Sequence, residues 1–384
     1  MRRVVDVFIG TATHERKWTN RERPVRVEYM PEQVAGINQS ALSIFSQDWW
    51  INIARGPSKY RELKVVHQGV VVGRLSLVLS RSRLGLLRGQ DPHWSHLGGP
   101  IVDQRLSRNE QAEVIRSLLE QLPRWASFNF VCNPELSYAD LVRSAFQQSG
   151  FDHTTQTTYL RLPSEGDVLN ARKSKHKGHI KRAAKELDCV DVGAKEFVQF
   201  FETNLKAEKE KSYSPLDTMT LLIEGAVSRG QARAIAARPN SRSQSVDHGR
   251  SSPYDAAIVY AWDNDRCYYW LSTHRIAFAD NSNAKPHPDA TKLLVVRAME
   301  AAQAMNLIFD VDGVTTPGAE NFYRNMLGLS REEHRDVFVR ETTLERFYQR
   351  YRQQFKAVTA NKIPLVNTNV PVSISQINKG ILTS

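Results

Sequence analysis

The chain has 384 residues, 41% hydrophobic and 24% charged, with a formal net charge of +11. That balance excludes a disordered or collagen-like polypeptide and fits two or three ordinary globular domains. Three widely spaced cysteines (Cys132, Cys189, Cys267) exclude a disulfide framework and a CxxC zinc site, so no metal is expected, and they point to a reducing, cytoplasmic setting.

The opening run MRRVVDVFIGTATHERKW is too short and too soon interrupted for a secretory signal. No apolar stretch of about 18 residues occurs, so membrane insertion is not expected. An aromatic helix, FSQDWWINIA, is predicted next. The run LKVVHQGVVVGRLSLVLS then places a Gln68–Gly69 turn between two β-rich segments, the pattern of an antiparallel hairpin. After HLGGPIVD, the stretch 109–151 reads as amphipathic helix, buried strand (FNFVC), Pro134 loop and a second helix ending at Gly150. A strand, TTYLRL, closes the unit.

From Arg172 to Lys185 the chain carries seven Lys or Arg residues and no acid. A modest charged helix (EFVQFFETNLKAEKEK) follows, then a Ser/Arg-rich loop at 238–252 read as a lid. DAAIVYAWDNDRCYYWLSTH repeats the hairpin theme, with the turn at Asp263–Asn264–Asp265. Residues 287–329 then match 109–151 without a gap, at a constant offset of 178: helix, strand (LIFDV), Pro317 loop, helix, Gly328. DVFVRE closes the second unit, and a largely uncharged tail follows. The match predicts a duplicated α/β (α+β) fold: a module over 1–165, a basic linking helix over 166–190, a second, candidate catalytic module over 191–355, and a tail over 356–384. Each module should hold a mixed, mostly antiparallel sheet flanked by helices.

This order of elements resembles the GNAT acyltransferase superfamily, and a chain of two such modules resembles its FemAB-like, BioF-type branch. FSQDWWINIA, the 61–81 hairpin with HLGGPIVD, the basic helix RKSKHKGHIKRAAKEL, and FDVDGV with GAENFYRNMLGL carry the resemblance. It implies an N-acyltransferase that moves an acyl group from acyl-CoA or another acyl carrier to an amine. A second implication is a FemAB-type aminoacyl transfer from charged tRNA to a peptide or cell-wall precursor. A GNAT-like binding protein without catalysis is the third. Fold analogy does not choose among them, and the sequence leaves the oligomeric state open.

Acyl transfer needs a base, oxyanion donors and an acid for the leaving group. Alignment on Gly328 puts Arg324 where FemAB-type enzymes carry a lysine, and where simpler GNAT enzymes carry the tyrosine acid; Tyr323 stands beside it. Arg324 suits an electrostatic clamp and not an acid. Asp310 and Asp312, two apart, should share a strand face, as base and substrate anchor or as turn caps before Gly313. His274 ends a strand on the family's substrate face and corresponds by the offset to His96. His287, Asp289 and Lys292 open the helix that GNAT enzymes use against coenzyme A phosphates, with Asp289 as the expected N-cap, although 281–292 contains no glycine. Arg172, Lys173 and Lys175 are candidates for an anionic small-molecule substrate, an acyl carrier or tRNA.

Overall fold

In the computed structural model, the structure describes residues 37–348, apart from 39–41, 83–84, 171, 210–211, 213, 241–251, 277–284 and 315, together with Tyr351. Most of the 238–252 loop and the whole tail from 356 lie outside the described residues.

Most predicted elements form where the pattern places them, but the basic helix expected over 166–190 spans only Ser174–Glu186, and Leu187–Asp191 is a strand. Helix α1 (Asp48–Ala54) precedes strands β1 (Lys59–His67) and β2 (Val70–Arg81). Gln68 and Gly69 between them have φ of 52° and 79°. Two positive values in a row are the two-residue turn whose twist suits a hairpin. β3 (Leu87–Gln90), β4 (Ile101–Val102), α2 (Arg108–Glu120), β5 (Ser127–Val131), α3 (Ala139–Gln148) and β6 (Asp152–Arg161) complete the first set. A reciprocal capping box between Ser107 and Glu110 starts α2.

The second set is α4 (Ser174–Glu186), β7 (Leu187–Asp191), α5 (Ala194–Ala207), α6 (Leu216–Ser228), β8 (Ala232–Pro239), β9 (Ala256–Trp262), β10 (Arg266–His274), α7 (Ala290–Ala304), β11 (Ile308–Asp310), α8 (Pro317–Glu320) and β12 (Arg331–Arg340). A π-helical segment, Asn321–Met326, continues α8. Shifted by 178, α3 falls on 317–326, the span of α8 plus that segment. Gly150 and Gly328, which follow these helices, have φ of 77° and 70°, the left-handed conformation expected after a helix end.

All the strands join one sheet in the order β1-β2-β3-β5-β12-β6-β11-β10-β9-β8-β7, with β4 on β2. The closing strands are exchanged. β6 pairs antiparallel with β11, and β12 pairs antiparallel with β5. The two then meet at the centre, from Arg331↔Leu160 to Val339↔Asp152. The expected boundaries at 165 and 191 are therefore not sheet boundaries, because each half is closed by a strand from the other stretch of chain.

Three cores hold the layers together. One lies under α2 and α3 in the first half, with Phe128, Phe130, Phe146 and Phe338. In the second half α4 and α7 cover one face and α5 and α6 the other. Helix α1 belongs with that last group: Trp50, fully buried, packs edge-on against Trp270 of β10 at 4.8 Å. Its Asp48 pairs with the buried Arg74 of β2, so the aromatic opening helix clasps the second half to the first. Removing a buried tryptophan of this kind costs about 3–5 kcal/mol.

Candidate functional site

Each half contains one pair of parallel neighbours that run together briefly and then part. In the first half β3 and β5 pair from Arg88↔Ser127 to Gln90↔Asn129. In the second, β10 and β11 pair from Arg266↔Ile308 to Tyr268↔Asp310. The offset of 178 carries Gln90 onto Tyr268, the last paired residues of β3 and β10, whereas their partners Asn129 and Asp310 do not correspond at that offset.

Beyond that point the halves differ. After Gln90 the chain turns into its own gap. The Asp91 carboxylate accepts from Val131 N at 2.9 Å and from Gly99 N at 3.2 Å, and Gly98 N donates to Val131 O at 2.7 Å. Gly98 and Gly99 are there because the space is full. An added Cβ would overlap the Asp91 carboxylate at Gly98, and at Gly99 (φ 86°) it would lie 2.6 Å from Cys132 Sγ. Asp91 keeps some exposed surface, but its carboxyl is enclosed, and burial pushes it up to about 7 against the pull of the two amides. The first gap is closed by the chain itself.

After Tyr268, β10 stays extended to His274 and pairs on its other side with β9, with a shift of register between Tyr269 and Leu271. A bulge of this kind takes backbone groups out of the regular ladder. The buried Tyr269 and Ser272 hydroxyls on this stretch lack well-aligned partners, although Ser272 lies near enough to draw the Tyr269 pKa down against the larger upward push of burial. Buried polar atoms without partners mark places where water or a ligand sits.

The mouth of the second gap is lined by a network linking both halves. Asp310, fully buried, accepts at Oδ2 from Arg266 (2.8 Å) and Arg335 (2.7 Å). At Oδ1 it accepts from the Thr158 hydroxyl (2.7 Å) and Asp312 N (2.9 Å). Burial alone would raise its pKa, but the two guanidiniums win and hold it at about 2. Arg266 also grips Glu333 of β12 and Glu135 from the first half. Asp312 leaves the strand with φ of 60° and holds Arg335 at 2.5 Å through its Oδ1. Its Oδ2 lies 3.0 Å from Nδ1 of His96, off the line of a hydrogen bond. The His96 ring packs on Phe45 at 5.2 Å, and Phe45 packs on Tyr268.

The predicted site residues fall into three groups. Asp310 and Asp312 converge on Arg335, but not as neighbours on one strand face, because β11 ends at Asp310. An Asp310 locked between two arginines is a structural anion and not a base. Tyr323 is 1% exposed, and its ring stands edge-on to Tyr269 at 6.3 Å. Burial, then Tyr269 and the Asp312 and Asp310 carboxylates, push its phenol far up, so it stays protonated. Arg324 is the surface neighbour, its side chain 57% exposed and 3.6 Å from Glu320.

His274 is half-buried at the end of β10; burial lowers its pKa and Glu208 opposes this. At the start of α7, Asp289 occupies the N-cap position but makes no side-chain cap. Its carboxylate turns to Lys292 at 2.6 Å and His179 at 3.4 Å. His287 N donates to Asp255 and Asp289 N to the His287 ring. These two donors precede the helix; within its first turn Ala290 N donates to His287 O. Cations do gather beside it. Burial and the charges of Lys292, His179, Lys175 and Lys173 all push His176 down. Lys173 and Lys175 are exposed on α4, whereas Arg172 is buried, bonds Val168 O and Met299 Sδ, and is lowered to about 10 by burial. Arg172 is thus a core residue, not a substrate ligand.

Among the described residues no group of three His, Cys, Asp or Glu is arranged to hold a metal, and no helix is long and apolar enough to cross a membrane. No protein-family profile matches the sequence, and no curated protein sequence matches it significantly.

The architecture is a mixed α/β fold with one large, mostly antiparallel sheet flanked by helices. Among solved structures FemX is similar in fold: it aligns over 79% of this chain and 94% of its own, at 11% identity and a TM-score of 0.53. Looser likenesses are the C-terminal domain of a putative lysylphosphatidylglycerol synthetase from Agrobacterium fabrum (76% of this chain, 89% of that one, 12% identity, TM-score 0.45) and a tandem GNAT protein from the clavulanic acid biosynthesis pathway (74% and 83%, 13%, 0.40).

Proposed function

We propose that the chain is an N-acyltransferase that moves an acyl group from a thioester carrier to an amine, with the reaction in the gap between β10 and β11. The observation that carries this reading is the asymmetry of the two gaps. One is filled by its own chain at Asp91–Gly99, and along the other β10 runs on past its last β11 pair, with two buried hydroxyls without aligned partners. Backbone amides at such an edge are donors in fixed positions for a tetrahedral oxyanion, which is where most catalytic stabilisation arises. Tyr323, kept protonated beside Tyr269, is the proposed proton donor to the leaving group. Arg324 contributes positive charge at the rim.

Lys173, Lys175 and Lys292 are the proposed contacts for the phosphates of an anionic carrier, by side-chain charge and not by a glycine loop. The three free cysteines support a reducing, cytoplasmic setting. A second reading, aminoacyl transfer from charged tRNA, is favoured by the exposed basic residues of α4.

The test is to incubate the purified protein with acetyl-CoA and a panel of primary amines while following free thiol. Amine-dependent thiol release supports the first reading. Transfer from charged tRNA alone moves the assignment to the second. No transfer from either donor leaves a binding protein and refutes both.

A further inference from the structure

The geometry points to His96 as the proton acceptor for the acceptor amine, oriented by Asp312 across the seam of the two halves; this rests on the acyl-transfer reading. Asp312 is two residues past the last β10–β11 pair, so it stands just beyond the end of that ladder. His96 is delivered there by the very loop that closes the other gap. That loop is fixed from both sides: Asp91 anchors it to β5, and Trp270 Nε1 of β10 donates to Trp94 O at 2.9 Å. Side chains of His96 and Asp312 are 16% and 22% exposed, buried enough to be held and open enough to be reached.

The pair is also held stiffly. Arg335, wholly buried, fixes the far oxygen of Asp312 while Asp310 fixes Arg335. Phe45 supports the imidazole face. The Asp312 carboxylate 3.0 Å from Nδ1, although off the line of a hydrogen bond, favours a proton on Nδ1 and leaves Nε2 as the proton-accepting nitrogen.

The surrounding charge selects the acceptor. Asp310, Asp312, Glu333 and Glu135 face Arg266 and Arg335, four carboxylates against two guanidiniums. The excess negative charge favours an ammonium over a neutral alcohol or a carboxylate-bearing nucleophile at this mouth. The acceptor class is therefore a primary amine that arrives protonated. The ammonium gives one proton to Nε2 of His96. The freed amine nitrogen then bonds to the acyl carbon, the carbon–sulfur bond breaks as Tyr323 protonates the sulfur to give the thiol, and the second nitrogen proton restores the Tyr323 phenol. His96 returns its proton to water, so protons and charge balance.

The test uses the full chain. Hexylammonium is titrated into protein labelled with 15N-histidine, with hexanol as the uncharged control. The expected result is that the His96 resonances move with hexylammonium and not with hexanol, and that Asp312→Asn weakens the ammonium by roughly tenfold, the worth of about 1.4 kcal/mol. Equal shifts with hexanol, or unchanged binding in Asp312→Asn, overturn the proposal. In transfer from acetyl-CoA to hexylamine, His96→Gln is expected to lose roughly 100-fold or more in kcat, and His96→Gly to recover part of it with added imidazole. Full activity in His96→Gln overturns the assignment of the base while acyl transfer stands. Ammonium binding at His96 without any transfer from acetyl-CoA refutes the donor and leaves the acceptor site. The titration of the wild-type chain decides the question even where a variant fails to fold.

Discussion

Replacing Asp310 by asparagine removes one charge and no volume. The carboxylate accepts four hydrogen bonds, two on each oxygen, from Arg266, Arg335, Thr158 and Asp312 N. An amide offers one oxygen and one NH2. Turned toward the arginines, the NH2 meets two guanidinium donors; turned the other way, it meets the Asp312 N–H, which cannot reverse. Either rotamer leaves a donor facing a donor and takes one counter-ion from each guanidinium, Arg266 keeping Glu333 and Glu135 and Arg335 keeping Asp312. Breaking a buried pair in this way costs about 3–5 kcal/mol. The pH dependence carries its own sign. The folded carboxyl is depressed from 3.8 to about 2, so its stabilisation is present above pH 4 and lost as pH falls through 2. At about 1.4 kcal/mol per pKa unit this part is worth about 2 kcal/mol. Urea unfolding of wild type and Asp310→Asn at pH 7, 4 and 3 measures both. A difference below about 1 kcal/mol at pH 7, against the 3–5 kcal/mol expected of a broken buried pair, would show that the network is not structural.

The filled first gap makes two predictions. Gly98→Ala expels the Asp91 carboxylate, and Gly99→Ala adds strain at a positive φ; each should lower the unfolding midpoint, by the roughly 1–3 kcal/mol typical of overpacking, and a neutral result in both would refute the close fit. Asp91 is raised to about 7, so its contribution is full below about pH 4 and is lost as pH rises through 7; Asp91→Asn should flatten the stability curve between pH 4 and 8, and an unchanged slope would contradict the burial. Tyr323→Phe should fold as the wild type does and lose roughly 10²-fold in kcat as a missing general acid; unaltered turnover would return Tyr323 to the core alone.

The sequence carried what is local. Gln68–Gly69 announced a turn because only residues that accept positive φ fit it, and Gly150 and Gly328 marked helix ends for the same reason. The offset of 178 carries α3 onto 317–326, the span of α8 and the π-helical segment, because helical periodicity is legible without identities. What failed to show was partner choice. Period-two alternation says which face of β6 and β12 is buried and nothing of which strand lies beside them, so the exchange was not legible. Asp310 was suspect as a costly buried acid, but its arginines stand at 266 and 335, and no spacing rule joins them. His96 and His274 were paired by the offset, yet the weight fell on His274. Only the turn of the chain at Asp91 brings His96 to the other half, and that turn is a tertiary event. Arg172 looked like the head of a solvated basic run; the nearby Val168 carbonyl takes it into the core.

The exchanged strands make the halves inseparable, and this too can be tested. β6 has no partner in the first stretch of chain, since its neighbours are β11 and β12. β12 sits between β5 and β6, so a chain cut at residue 165 leaves it without either. Each fragment then exposes an unpaired strand or edge, with Phe338 of one fragment missing from the core of the other. Fragments 1–165 and 166–384 should each lack a cooperative thermal transition when expressed alone. Expressed together they should recover the transition of the intact chain, because every ladder is then complete. A cooperative melt from either fragment by itself would mean that its half closes without the exchange. In that case His96 would not depend on β12 and Arg335 for its setting, and the seam would be a contact between two finished domains instead of the frame of the site.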